Sequence, residues 1–262
     1  MSEQVVVSDV RKGALWLRLN RPDAMNALSP AVLTGINGAL DKVEHDPEVK
    51  AVVLTGTGRA FSAGADLKYL RGEVGGDSGK MHDFLSQVIG TMERLERFPR
   101  PVIAAVNGMA LAGGLELVLC CDLVIAARSA KLGDAHANYG LLPGGGGSVR
   151  LPRKIGPTRA KYLLYTGEFV PAEELVTCGL VNEVVEDEDL IPAAERLIAK
   201  MATKSSLVLR RMKALVDDGL EQPSATALRL ELIAGEVHAT SHDMNEGLAA
   251  FQEKRKPRFI GR

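Results

Sequence analysis

The sequence predicts an α/β fold with much parallel strand pairing, followed by a mainly helical last third. Three observations carry this expectation. Short apolar runs closed by glycine, "KAVVLTGTG" (50–58) and "PVIAAVNG" (101–108), have the make-up of strands buried on both faces. Segments with apolar residues at helical spacing lie between such runs. From about Gly156 onward the pattern changes to helices, with one strand at "LVNEVV" (180–185).

In chain order, "GALWLRLN" (13–20) alternates apolar and polar residues and reads as a strand. In "SPAVLTGINGALDKVEHD" (29–46), Ser29 stands at a helix N-cap with Pro30 at the first helical position. Ala31, Leu33, Ile36, Leu40 and Val43 then recur at helical spacing. The polar, glycine-rich "RGEVGGDSGK" (71–80) reads as a flexible surface loop. It leads to a helix over "MHDFLSQVIGTMERLERF" (81–98), stopped by Pro99 and Pro101. "NGMALAGGLELVLCCDLVIAA" (107–127) supplies a further helix and then a strand near "DLVIAA". Beyond Gly156, six segments from "GPTRAKYLLYTG" to "HDMNEGLAAFQEKRK" read mainly as helices.

Composition narrows the function. Lys and Arg total 32 against 33 Asp and Glu, a formal net charge of −1, with no basic stripe; this argues against a nucleic-acid binder. No apolar run reaches the ~20 residues of a membrane span, and no secretory signal pattern is evident. The three cysteines, Cys120, Cys121 and Cys178, make no disulfide framework and suit a reducing compartment, so the expected location is the cytoplasm. "GGDSGK" (75–80) fails as a phosphate loop, because Val74 and Met81 occupy required positions, and Phe61 spoils a dinucleotide fingerprint in "GTGRAF" (56–61). His238 and His242 stand four apart on one expected helix, without the acidic neighbours of a metal site. No metal is expected.

Gly113-Gly114 lies where a loop feeds a helix. The first amides of a helix have no intrahelical partner, and the helix dipole adds positive potential there. Two readings stay open at this point: a site for a developing oxyanion, or glycines that merely permit close helix packing. Glu116 follows in an otherwise apolar run, where a carboxylate is costly to bury unpaired. It is either an acid–base group or a buried structural partner.

Two segments, "GTGRAFSAGADLKYL" (56–70) and "PVIAAVNGMALAGGLELVLCCDLVIAARSAKLGDAHANYGLLPGGGG" (101–147), resemble the crotonase superfamily, the enoyl-CoA hydratase/isomerase family. The likeness extends to "LNRPDAMNALS" (19–29) and "FQEKRKPRF" (251–259), in order along nearly the whole chain. It implies a spiral of ββα units with a helical C-terminal region. Residues 1–200 would form the α/β core with an acyl-CoA site; 201–262 would serve oligomerisation and CoA contact, as a homotrimer or dimer of trimers. The implied partner is an acyl-CoA thioester, with coenzyme A as part of the substrate and no separate cofactor.

By motif position, the resemblance assigns the oxyanion donors to the amides of Ala65 and Gly113, and a water-activating carboxylate to Glu116. Met25, Asn26, Ala27 and Leu28 would line the path of adenine and pantetheine together with Ala63, Asp66 and Leu67. Lys254 would reach a CoA phosphate. The family's second glutamate is missing: its place falls on His136, with Asp134 two residues before it as a candidate to orient the imidazole. Histidine exchanges protons near neutral pH, so hydration of a 2-enoyl-CoA is the leading expectation. Thioester hydrolysis, carbon–carbon cleavage, isomerisation and non-catalytic acyl-CoA binding remain alternatives, as does a pocket-lining His136.

Overall fold

A computed structural model describes residues 4–262. It opens with a hairpin of β1 (Val6–Arg11) and β2 (Ala14–Leu19), turned at Lys12 and Gly13, both with positive φ. Next come α1 (Pro30–Asp41), β3 (Ala51–Gly56), β4 (Ala60–Ser62), the short α2 (Leu67–Tyr69) and α3 (Ser78–Glu96). They are followed by β5 (Val102–Val106), β6 (Met109–Leu111), α4 (Gly113–Leu119), β7 (Leu123–Ala127) and β8 (Lys131–Gly133). The remainder comprises α5 (Gly147–Ile155), α6 (Pro157–Thr166), β9 (Val170–Pro171), β10 (Glu183–Val185), α7 (Leu190–Ala202), α8 (Ser206–Leu220), α9 (Ser224–His238) and α10 (His242–Gln252).

The strands sort into two sheets. The larger runs β1-β2-β3-β5-β7-β10 and is parallel except for the opening hairpin. The smaller runs β4-β6-β8-β9, with β4, β6 and β8 parallel and β9 antiparallel at the edge. The chain alternates between them: β3, β5 and β7 each enter the large sheet, and β4, β6 and β8 each follow into the small one. This is the expected spiral of ββα units.

Burial explains the strand composition. All five residues of β5 and the first five of β3 are buried, so both faces are covered and apolar runs suit them. The helix α1 covers one side of the hairpin and buries Val32, Leu33, Ile36, Ala39 and Leu40.

Several sequence expectations are corrected. Strand β2 is buried at every position except Arg18, so its apparent alternation does not mark a solvent face. Ala31 is exposed, outside the buried stripe of α1. The stretch 71–80 is no open loop. Leu70–Val74 forms one wide helical turn anchored by buried Val74. Asp77 then caps α3, accepting from the amides of Gly79 (2.8 Å) and Lys80 (3.1 Å), so that helix starts at Ser78. His238 ends α9 and His242 begins α10, so the two do not share a helix. The sequence pattern also gives no sign of the edge strand β1 or of the small sheet, whose strands β4, β6, β8 and β9 are only two or three residues long.

The last helices meet the core through polar anchors. Lys213 on α8 donates to Asp122 Oδ2 at 2.8 Å. Asp243 on α10 is buried and accepts from Ser205 Oγ and from the amides of Ile260 and Gly261, tying the final residues back to α8. Much of α8 and α9 lies open, with Val216, Leu228, Leu232, Ile233 and Val237 exposed. Among the described residues no helix is long and apolar enough to cross a membrane.

Candidate active site

The expected site residues cluster where β4, β6 and β8 end. In parallel α/β sheets the crevice beyond the carboxyl ends of the strands is the usual ligand position. Ala65 follows β4, Gly113 follows β6, and Asp134 and His136 follow β8.

Ala65 is held by a neighbouring segment. Leu28 pairs with it in a parallel bridge: the Leu28 amide donates to Gly64 O (2.7 Å), and the Asp66 amide donates to Leu28 O (2.9 Å). These bonds use the groups on either side of Ala65 and leave its own N–H directed away from Leu28. The Gly113 amide is the first of α4 and has no intrahelical partner. Among the described residues neither amide donates a hydrogen bond within the protein. They are close neighbours: a methyl group on Gly113 would sit 3.4 Å from Ala65 N, and one on Gly64 would sit 3.0 Å from Gly113 N. Ala112, between β6 and α4, is held at φ 48° and ψ −119°. Such a conformation in a non-glycine residue costs of order 1–3 kcal/mol and aims the following amide.

The two loops expected to line a CoA path are brought together here. Besides the Leu28 bridge, the Ala63 amide donates to Met25 O at 2.9 Å. Met25 and Asn26 both have positive φ. The Asn26 side chain is fully buried and structural. It accepts from the Arg21 amide and donates to Thr57 O and Ala60 O. Asp66 pairs with Arg21 (2.8 Å) and caps α2. Burial raises its pKa, but the Arg21 contact and backbone amides outweigh that and hold it below the usual carboxylate value. Ala27 is buried and Leu67 exposed. Lys254 is exposed just after α10, with φ 54°.

Glu116 is buried on the first turns of α4. Its Oε1 accepts from the amides of Gly145 and Gly147, both at 2.8 Å. Burial pushes its pKa above the usual carboxylate value, against the opposing pull of those amides and of His136. Among the described residues Oε2 has no hydrogen-bond partner. A methyl group on Gly145 would lie 2.8 Å from Oε2 and 2.5 Å from Met92 Sδ, so a larger residue there would displace one of these side chains. Arg150 on α5 fixes this loop: it donates to Gly145 O (2.8 Å) and forks onto the Glu96 carboxylate.

His136 lies near Glu116, with Nδ1 3.0 Å and 3.1 Å from the two oxygens of buried Asp134. Burial alone would lower its pKa; the hydrogen bond and charge of Asp134, with the charge of Glu116, raise it above the usual imidazole value. Gly147 bridges the two halves: a methyl group there would lie 3.1 Å from Glu116 Oε1 and 3.4 Å from Asp134 Oδ2.

Paired amides, a buried carboxylate and an imidazole thus lie close together, and comparison with known proteins agrees with the motifs. The enoyl-CoA hydratase/isomerase family pattern matches residues 9–262. The chain belongs to this family. A crotonyl-CoA hydratase of Syntrophomonas wolfei is 39% identical over 261 residues, spanning 99% of each chain. A short-chain-enoyl-CoA hydratase of Clostridium acetobutylicum is 38% identical over 91% of this chain and 90% of its own. The crystal structure of an enoyl-CoA hydratase from Bacillus anthracis superposes with a TM-score of 0.94 at 39% identity, covering 99% of this chain and all of that one.

Within this family fold, Glu116, His136, Ala65 and Gly113 converge. The sequence reading missed the amides of Gly145 and Gly147. Their signal is the "GGGG" run at 144–147 that closes the second matching segment. It also missed the Arg150–Glu96 pair, 54 residues apart and carrying no motif.

Proposed function

We propose that this protein is an enoyl-CoA hydratase that adds water across the conjugated double bond of a 2-enoyl-CoA. The observation that carries this reading is the pair of free amides, Ala65 and Gly113, beside the open Oε2 of a buried Glu116. The amides donate hydrogen bonds to the thioester oxygen as negative charge develops on it. One such donor contributes ~2.7–4 kcal/mol to comparable reactions. Glu116 Oε2 takes the proton of the attacking water, while Oε1 stays fixed by Gly145 and Gly147. Its raised pKa suits a general base near neutral pH.

Met25–Leu28 and Ala63–Leu67 guide the CoA moiety through their backbone, since the side chains of Asn26 and Asp66 are committed to structure. The exposed apolar positions of α8 and α9 support assembly as a trimer or a dimer of trimers. In that assembly Lys254 meets a CoA phosphate of its own or a neighbouring subunit. The direct test is loss of the enoyl absorbance of crotonyl-CoA, repeated with longer and branched 2-enoyl-CoAs. Turnover of any of them supports the proposal, and no turnover across the series refutes it.

A further inference from the structure

Two features beside the oxyanion pair go unused in the hydration scheme so far: the carboxylate of Asp134 and the far nitrogen of His136. Asp134 is 1% exposed, and its contacts are to His136, through both the ring Nδ1 and the backbone amide. The turn that sets this geometry is tight. Ala135, between them, has φ 60°, and the His136 amide also donates to Asp134 O at 2.8 Å. With Nδ1 held, the ring has one free nitrogen, Nε2. Among the described residues the buried side-chain nitrogen or oxygen that lacks any partner is Trp16 Nε1. Among the described residues Glu116 Oε2 and His136 Nε2 also have no hydrogen-bond partner in the protein, and unlike Trp16 Nε1 neither atom is sealed from solvent.

We propose that Asp134 is a positioning residue that fixes the His136 ring with Nδ1–H toward its carboxylate, making Nε2 the second proton-transfer group of the site. This rests on the hydratase reading above. The step balances without any co-reactant. The water oxygen bonds to the β-carbon, and its proton passes to Glu116 Oε2. The π electrons move toward the thioester oxygen between the Ala65 and Gly113 amides. As they return, Nε2–H gives its proton to the α-carbon. Transfer of the proton from Glu116 to Nε2 restores the starting state, and the net change is addition of one water.

The charges around His136 agree. Asp134 faces it from its own segment and Glu116 from α4, and both favour the imidazolium. Arg150 on α5, which holds the glycine loop against Glu116, is itself engaged by Glu96 of α3 and by Gly145 O. The proposed reaction needs a transferable proton on the histidine and none on Glu116 Oε2.

The test uses the full chain labelled with ¹⁵N-histidine, together with steady-state hydration of crotonyl-CoA across pH. In the wild type, the ring signals of His136 must report a proton on Nδ1 after neutralisation; a neutral form with its proton on Nε2 overturns the proposal, and this readout needs no variant. In Asp134→Asn the expected result is a fall in kcat of about 10²-fold, with KM unchanged and the alkaline limb of the rate profile moved to lower pH. Asp134→Glu should restore part of that limb. Wild-type kcat and an unshifted limb in Asp134→Asn also overturn the proposal. A wild type that hydrates no enoyl-CoA instead refutes the hydratase reading, which the nitrogen signals do not address.

Discussion

Replacing Gly114 by alanine separates helix propensity from site geometry. In an ordinary helix, glycine to alanine is favourable by about 1 kcal/mol. Gly114 is not ordinary, because α4 lies directly against β4. An added methyl group would sit 2.0 Å from Ser62 O and 2.8 Å from Ser62 C, whereas real Cβ atoms essentially never come within 3.0 Å of such atoms. The obstacle is backbone, so relief requires the start of α4 to withdraw by about 1 Å, and overpacking of this kind costs typically ~1–3 kcal/mol. The withdrawal moves the Gly113 amide away from Ala65. A misplacement of about 1 Å can cost about 10²-fold in rate. Gly114→Ala is therefore expected to lower kcat/KM for crotonyl-CoA by about 10²-fold while circular dichroism stays unchanged. Gly38→Ala is the control: Gly38 lies within α1 with nothing within 4 Å of the added methyl group. It should raise the melting temperature and leave activity intact. Wild-type kcat/KM in Gly114→Ala would refute the claim that contact between α4 and β4 sets the oxyanion geometry.

Glu116→Gln keeps the shape and removes the base, so the hydration rate should fall by ~10²–10⁴-fold; undiminished turnover would remove Glu116 from the mechanism. Relative to the wild type, the same variant should gain stability as pH rises. The folded-state pKa of Glu116 lies above its ordinary value of 4.5, so the stability linked to its protonation is full below that value. This stability is lost as pH rises through the folded pKa. Glutamine does not titrate, so in thermal melts its advantage over the wild type should grow toward alkaline pH and vanish in acid. Lys254→Ala should weaken CoA affinity and flatten its salt dependence, measured by calorimetry at several ionic strengths; unchanged affinity would return the lysine to the solvated surface. Light scattering should give a trimer or hexamer mass, and a stable monomer would leave the apolar positions on α8 and α9 unexplained.

The parts of the fold legible in the sequence were those where one local signal decides the outcome. β3 and β5 are apolar throughout because both faces are covered, and Pro30 marks the start of α1. The capping of α3 was missed because a single aspartate, Asp77, outweighs the surrounding glycines, a balance that composition alone does not reveal. At the site, Ala65, Gly113 and Glu116 were readable because their motifs are contiguous. The partners of Glu116 were not, since Gly145 and Gly147 act through backbone amides 29 and 31 residues away. Asp134 and His136 were readable as a pair because both contacts close within one turn.

The order of the small sheet divides labour in the crevice. Its first two parallel strands, β4 and β6, lead to the Ala65 and Gly113 amides, which in the proposed reaction would grip the thioester whatever is to be done to it. Its third, β8, delivers Asp134 and His136, and the loop beyond it supplies the amides that steady Glu116. In that scheme the side chains at the exit of β8 would set the chemistry, and the Gly133 carbonyl, which accepts from the Ala112 amide at 3.0 Å, would stay with the clamp. Retooling of this scaffold for new reactions would start there: one exchangeable tip on a fixed clamp, carrying in this protein an aspartate–histidine pair.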